Sequence, residues 1–183
     1  ITDVDGNSYN TVQIGTQCWT QSNLKVSKYR NGDSIPTGLS NNDWANTTSG
    51  AYAVYDNNPV NDGLYGKLYN HYAVMDNRGL CPTGWHVPTD SEWNVMVKYL
   101  DPNADTVCLS CLQSSIAGGA LKSTAIQPTL GGWNPPNFGA TNSSGFAGGP
   151  GGIRTDNGEF YYQGSDGLWW SSSIFGSLAW SWY

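Results

Sequence analysis

Hydrophobic and polar positions alternate over the first twenty-six residues. Tyr9, Val12, Ile14, Cys18 and Trp19 sit among polar neighbours, the two-residue period of a half-buried strand. This predicts a hairpin with strands near 8–14 and 17–20. Asp5-Gly6-Asn7 carries turn chemistry. Residues 29–63 lose the pattern. They are rich in Asn, Asp, Gly and Ser and read as irregular loop, with a short strand at Tyr52, Val54 and Tyr55. Two stretches then take helical period. Tyr65, Leu68, Tyr69 and Tyr72 follow i, i+3, i+4, i+7 and predict a first helix. Thr89-Asp-Ser-Glu92 after Pro88 is a capping box, and Trp93, Met96, Val97 and Leu100 form one apolar stripe behind it. Asp101-Pro102 ends that second helix. From 112 onward no helical period survives. Gly118-Gly119, Gly131-Gly132 and residues 148–152 punctuate the chain, and short strands are expected near 159–163, 168–172 and 178–183. A hairpin, two helices, then loops and strands is an α+β layout in a single domain over residues 1–183.

Composition narrows the partners. Only 12% of the 183 residues are charged, against a usual share of about 25%. Nineteen Ser, eighteen Asn and twenty-three Gly supply the polarity. Aromatics reach 13%, with nine Trp and eleven Tyr, which excludes an intrinsically disordered chain. Eight scattered Lys and Arg in a chain of net charge −6 argue against nucleic acid. No apolar run approaches the ~18 residues of a membrane-spanning helix. Ile1 in place of a starting Met points to a processed form or a fragment.

Four cysteines, Cys18, Cys81, Cys108 and Cys111, in a chain of this composition point to an exported protein with disulfides. Three pairings are open. Cys108-Leu-Ser-Cys111 has the spacing of a redox motif or of half a zinc site. A structural zinc needs four ligands, and His71 and His86 lie in other segments. A local or structural disulfide is the expectation, with Cys18 and Cys81 as the remaining pair.

Groups for catalysis are few. His71 falls in the first helix and His86 in a turn between Trp85 and Val87. Glu92 is committed to the cap, and Glu159 is the other glutamate. No carboxylate pair has a glycosidase spacing, and the glycine clusters lack the Lys-Ser/Thr of a phosphate loop. Asp3-Val-Asp5-Gly-Asn7 looks like half a calcium loop but lacks the sixth-position Gly and twelfth-position Glu of an EF-hand, so a turn is the expectation and no cofactor is assigned. The surplus is aromatic. Trp133, Trp169, Trp170, Trp180 and Trp182 crowd the last third with Tyr161, Tyr162 and Tyr183. They are core residues or a binding surface, since Tyr, Trp, Ser, Gly and Asn also make adaptable recognition faces.

The ordered motifs resemble a known family. They are Asp5-Gly-Asn-x-Tyr9, Val12-x-Ile-Gly15, Gln17-Cys-Trp19, Asn23-Leu-Lys25, Gly66-Lys-Leu-Tyr-Asn70, Cys81-Pro-Thr-Gly-Trp-His-Val-Pro88, Ser91-Glu-Trp93, Leu121-Lys-Ser-Thr124, Thr141-Asn-Ser-Ser-Gly-Phe146, Pro150-Gly-Gly152 and Trp169-Trp-Ser-Ser-Ser173. Together, over about residues 3 to 182, they look like the Fibrobacter succinogenes major paralogous domain. The resemblance implies a C-type-lectin-like fold related to the formylglycine-generating-enzyme group. It also implies a bacterial cell-surface or secreted protein, often a lipoprotein, adhesin or appendage component. Members usually continue past the Trp-rich strand to a Gly-Phe-Ser-Val-Arg-Cys ending, so the resemblance implies either missing C-terminal strands, the favoured expectation, or a strand supplied by another chain. It leaves an open edge on strand 8–14 and, with the absent Cys, an altered pairing for Cys81. The formylglycine enzymes' cysteine chemistry has no matching motif here. Gln127-Pro128-Thr129 lacks the carboxylate of the calcium-dependent sugar motif.

The function expected is a non-catalytic extracellular binding or adhesion module whose partner is a glycan, a protein or copies of itself. Its ligand face, by resemblance to related lectin-like proteins, comprises Ile174, Phe175, Ser177, Leu178, Trp180 and Trp182, with Trp133 added from the aromatic surplus. The alternatives are a structural subunit of a surface filament, pilus or layer joined through strand edges, and a cysteine-dependent or carbohydrate-active enzyme.

Overall fold

The computed structural model describes residues 1–107, 113–175 and 178–182. The elements run β1 (Thr11–Ile14), β2 (Gln17–Thr20), α1 (Asn41–Asn46), β3 (Tyr52–Ala53), α2 (Val60–Tyr65), β4 (Leu68–Tyr69), α3 (His71–Val74), α4 (Asp90–Leu100), α5 (Ala117–Leu121), β5 (Ile153–Arg154), β6 (Phe160–Tyr161), β7 (Trp169–Phe175) and β8 (Leu178–Trp182). The fold is α+β. Among the described residues the strands pair antiparallel as β1–β2, β3–β4, β5–β6 and β7–β8.

The hairpin and the second helix form where the sequence places them. Gly15 takes φ 60° in the two-residue turn between β1 and β2, a conformation favouring Gly. The first strand is shorter than expected. Ser8 pairs instead with Thr2 in a separate turn, which the Asp3 carboxylate organises by accepting from the backbone N–H groups of Asp5 and Asn7 and from the Tyr9 hydroxyl. The Asp3–Asn7 segment is thus a turn. In α4, Thr89 Oγ1 accepts from Glu92 N at 3.2 Å and Glu92 Oε2 accepts from Thr89 N at 2.8 Å, which completes the capping box. Trp93, Met96 and Val97 are buried along its inner face.

The first predicted helix does not form as one element. Gly66, at φ 74°, stops α2, and a Cβ there would lie 2.8 Å from the Leu24 carbonyl. Leu68 and Tyr69 extend to pair with Ala53 and Tyr52. Asn70 then starts α3, its side chain accepting from Ala73 N at 3.0 Å. The apparent helical stripe joins one strand to two short helices. Two further helices arise where loop was expected. Ser40 caps α1 and seats Trp44 in the core. In α5, Gly119 packs so closely on the Gly139 carbonyl that a Cβ would overlap it. Gly119 serves close backbone packing rather than a turn, and tertiary contact overrides the poor helix propensity of the pair.

Two main apolar clusters make the core. One gathers Val26, Tyr29, Ile35, Tyr69, Ala73, Val74, Leu80 and Cys81, the other Ile14, Trp19, Trp93, Met96 and Phe146. Strand alternation on β7 sends Trp170 against the first and Trp169 against the second. Beside the first cluster the Arg78 guanidinium stacks 4.0 Å over the Tyr29 ring and bonds Asp76 at 2.8 Å and Asp33 at 3.0 Å. The hydrogen bonds from Arg78 hold the Asp76 carboxyl down at about 2.

Three results are expected. Thr89→Ala costs about 1 kcal/mol in denaturant unfolding. Met96→Ala, which opens a cavity in the second cluster, costs about 2–5 kcal/mol. A depressed folded-state pKa contributes stability above the unfolded value, 3.8 for Asp76, that is lost as pH falls toward about 2. The melting-temperature gap between the native chain and Arg78→Met is therefore open at neutral pH and narrows below pH 3.8.

Candidate binding cleft

Between the two core clusters lies an open cleft of about 1080 Å³. Residues 17–25, which are β2 and its continuation, line one side without interruption. Residues 63–69, 84–88, 146–149, 151–156 and 168–170 line most of the rest, joined by shorter stretches that include Cys81, Glu92, Trp93 and Leu130. Three constraints shape it. Trp169 Nε1 donates to Asn23 Oδ1 at 3.0 Å and Trp170 Nε1 to the Tyr69 carbonyl at 2.8 Å, which pins both rings. Glycine lets the chain pass close to Trp169: a Cβ at Gly148 would lie 3.1 Å from that ring, and one at Gly167 2.5 Å. Trp19 is drawn into the core by Trp93, 4.8 Å away between ring centres, and by Phe146 at 6.1 Å.

Several ionisable groups on the walls are engaged in structural contacts. Lys67 Nζ pairs with Asp62 at 2.8 Å, and Lys25 Nζ donates to the Gly63 carbonyl at 3.2 Å. His86 Nε2 lies 2.9 and 3.0 Å from the two Glu92 oxygens. Burial pushes the Glu92 carboxyl up, but hydrogen bonds from Thr89 and His86 outweigh it and leave Glu92 below its ordinary value. Arg154 stacks 4.3 Å over Trp44 and donates to the Gly158 and Leu39 carbonyls. Among the described residues, no group of three or more His, Cys, Asp and Glu side chains is placed to hold a metal ion.

Cys18 and Cys81 both line the cleft, yet they are free thiols rather than the expected pair. Cys18 is exposed on β2. Cys81 is buried in the first cluster, and burial pushes its thiol up to about 11. Cys108 and Cys111 lie outside the described residues.

Of the expected ligand face, Ile174, Phe175, Leu178, Trp180 and Trp182 lie on the paired strands β7 and β8, and Trp133 lies apart from them. Trp133 is 6% exposed. Its Nε1 donates to Ser123 Oγ and the Gly148 carbonyl, and Lys122 Nζ sits 4.2 Å from its ring. Trp133 is thus packed in the interior. Trp182 stacks on Trp93 at 5.8 Å and donates to Asp90 Oδ1 at 3.1 Å. Ile174, in contrast, is 60% exposed on β7. Phe175 and Leu178 face each other across the β7–β8 pairing, and Trp180 lies on β8. The side chains of these three, and Ser177 altogether, lie outside the described residues. The cleft walls at Leu68, Trp85 and residues 146–149 were not singled out from the sequence. The signal available was the pair of ordered segments Gly66–Asn70 and Cys81–Pro88, each mixing Gly or Pro with apolar residues.

The model of the Fibrobacter succinogenes major domain matches residues 12–182. No curated protein and no solved structure matches the chain.

The thiols give a direct check on the geometry. Iodoacetamide at mildly alkaline pH is expected to alkylate Cys18 readily and to leave Cys81 largely unmodified until the chain unfolds, as read by peptide mapping. Equal rates at the two sites would place Cys81 outside the core.

Proposed function

The chain belongs to the Fibrobacter succinogenes major domain family, and we propose that it is a non-catalytic binding or adhesion module of the bacterial cell surface or extracellular space. We further propose a C-type-lectin-like fold for it, a reading supported by the N-terminal hairpin, the capped α4 and the long Gly-rich loops.

The observation that carries the binding role is the cleft. An open, aromatic-walled concavity of about 1080 Å³ is of ligand-binding size. Trp169 and Trp170 are held by specific hydrogen bonds at its base, so their positions are preorganised and little ordering accompanies binding. The nearby His86 and Glu92 act as part of a helix cap, which supports recognition over acid–base chemistry. The ligand is a glycan or a protein segment, both of which use aromatic faces.

A second reading, a subunit of a filament, pilus or surface layer joined through strand edges, is favoured by the β1–β2 hairpin. Among the described residues neither of its outer edges has a strand partner.

The native chain is expected to retain a ligand from glycan or protein arrays. Trp85→Ala, on the cleft wall, is expected to weaken that binding about tenfold or more, in line with loss of an aromatic anchor. Leu130→Ser, at a rim position that is 76% exposed, is expected to weaken it a few-fold without changing the melting temperature. A folded chain that retains nothing, or binding indifferent to both changes, would contradict the proposal.

A further inference from the structure

The cleft has one wall of a particular kind. Asn10 O accepts from Gln21 N at 3.0 Å. Antiparallel pairs alternate, so with the register Thr11–Thr20, Val12–Trp19, Gln13–Cys18 and Ile14–Gln17 the pairs 10/21, 12/19 and 14/17 carry the ladder bonds. The N–H and C=O groups of Cys18 and Thr20 therefore point away from β1. Among the described residues neither Cys18 nor Thr20 has a backbone hydrogen-bond partner on that side. The cleft lies on the same side, because residues 17–25 line it and no β1 residue does.

We infer that the cleft accepts an extended polypeptide segment of a partner protein, which adds as a third strand to the free edge of β2. This rests on the cleft being the binding site. The chemistry of that edge selects a polypeptide. Cys18 and Thr20 present donor and acceptor together at a two-residue repeat of about 6.6 Å, the repeat of an extended chain. Sugar hydroxyls have no such repeat. The free edge is β2 itself, Gln17–Thr20, about 13 Å long when extended; farther along the wall the Leu24 carbonyl is already taken by Lys67 N at 3.0 Å. The pleat then sets the partner's pattern. Trp19 is buried on the inner face of β2 and Cys18 is exposed on the outer one. The incoming residues level with Trp19 are apolar and point toward the Trp-lined interior, and the alternate ones are polar.

Thr20→Pro tests the inference. It removes one outward N–H from the edge and no ladder bond to β1, a position where strands tolerate proline. The probes are ten-residue peptides alternating Val, Ile, Leu or Phe with Ser, Thr or Lys, with a glycan array run alongside. Circular dichroism and the melting temperature report folding of the variant. The expected result is peptide binding that depends on the alternating pattern and falls tenfold or more in folded Thr20→Pro. Protection of the Cys18 and Thr20 amides from hydrogen exchange on binding to the native chain is expected too, and it keeps the test decisive should the variant misfold. Peptides that bind the native chain and folded Thr20→Pro equally, without amide protection, would overturn strand addition. Binding confined to glycans would overturn the polypeptide assignment and leave the binding role standing. Self-association through β2, seen as peptide-competed dimers in light scattering, would overturn the assignment to a separate partner. Binding of neither probe, with no self-association, would remove the binding role itself.

Discussion

Two adjacent tryptophans on one strand set the geometry of this molecule. Because β7 is extended, Trp169 and Trp170 leave the backbone on opposite faces, and each enters a different apolar cluster. Ser171, which follows them, is fully buried. The first half of the strand therefore runs through the interior and joins the two halves of the core. Each indole N–H is also satisfied, by Asn23 and by the Tyr69 carbonyl. A buried polar atom left without a partner would cost about 1–3 kcal/mol, so these bonds fix ring orientation as well as position. The hairpin, the β3–β4 pair and α4 are all placed with respect to this strand.

The cleft follows from the same arrangement. The β2 side belongs to the Trp169 cluster, through Trp19, and the Tyr69 side to the Trp170 cluster. The space between them is floored by the two rings and closed on one flank by glycine-rich chain. Gly148 and Gly167 allow that chain to approach Trp169 more closely than any side chain would permit. The low charge of the sequence fits this plan, since Lys25, Lys67, His86, Glu92 and Arg154 on the walls serve as caps and braces. A rigid, preorganised concavity with aromatic walls is suited to holding a ligand more than to moving protons.

Much of this was legible in the residues, where a local signal coincided with the tertiary need. Thr89 and Glu92 specify their cap with groups three residues apart. The period of Ile14 and Trp19 specifies the inward face of the hairpin, and the ordered motifs led to the family. Other parts depend on distant contacts. Leu68 and Tyr69 look helical by spacing, and only pairing with Tyr52 and Ala53 makes them a strand. Gly118 and Gly119 read as a break, yet they form a helix whose Gly119 is packed against the Gly139 carbonyl. The aromatic surplus was ambiguous for the same reason. Composition does not distinguish Trp133, buried under Lys122, from Trp85 on the cleft wall. The cleft left only a scattered sequence signature, in Gly66–Asn70 and Cys81–Pro88, because its walls come from at least six separated segments.

The account centres on the claim that ligand is bound between β2 and the Trp169–Trp170 floor. The most direct measurement is the set of indole N–H resonances of the nitrogen-labelled protein, followed as a retained ligand is added. The account predicts that the signals of Trp85, Trp169 and Trp170 move together while those of Trp133 and Trp182 stay in place. Movement of Trp133 and Trp182 with the cleft indoles unchanged would contradict it.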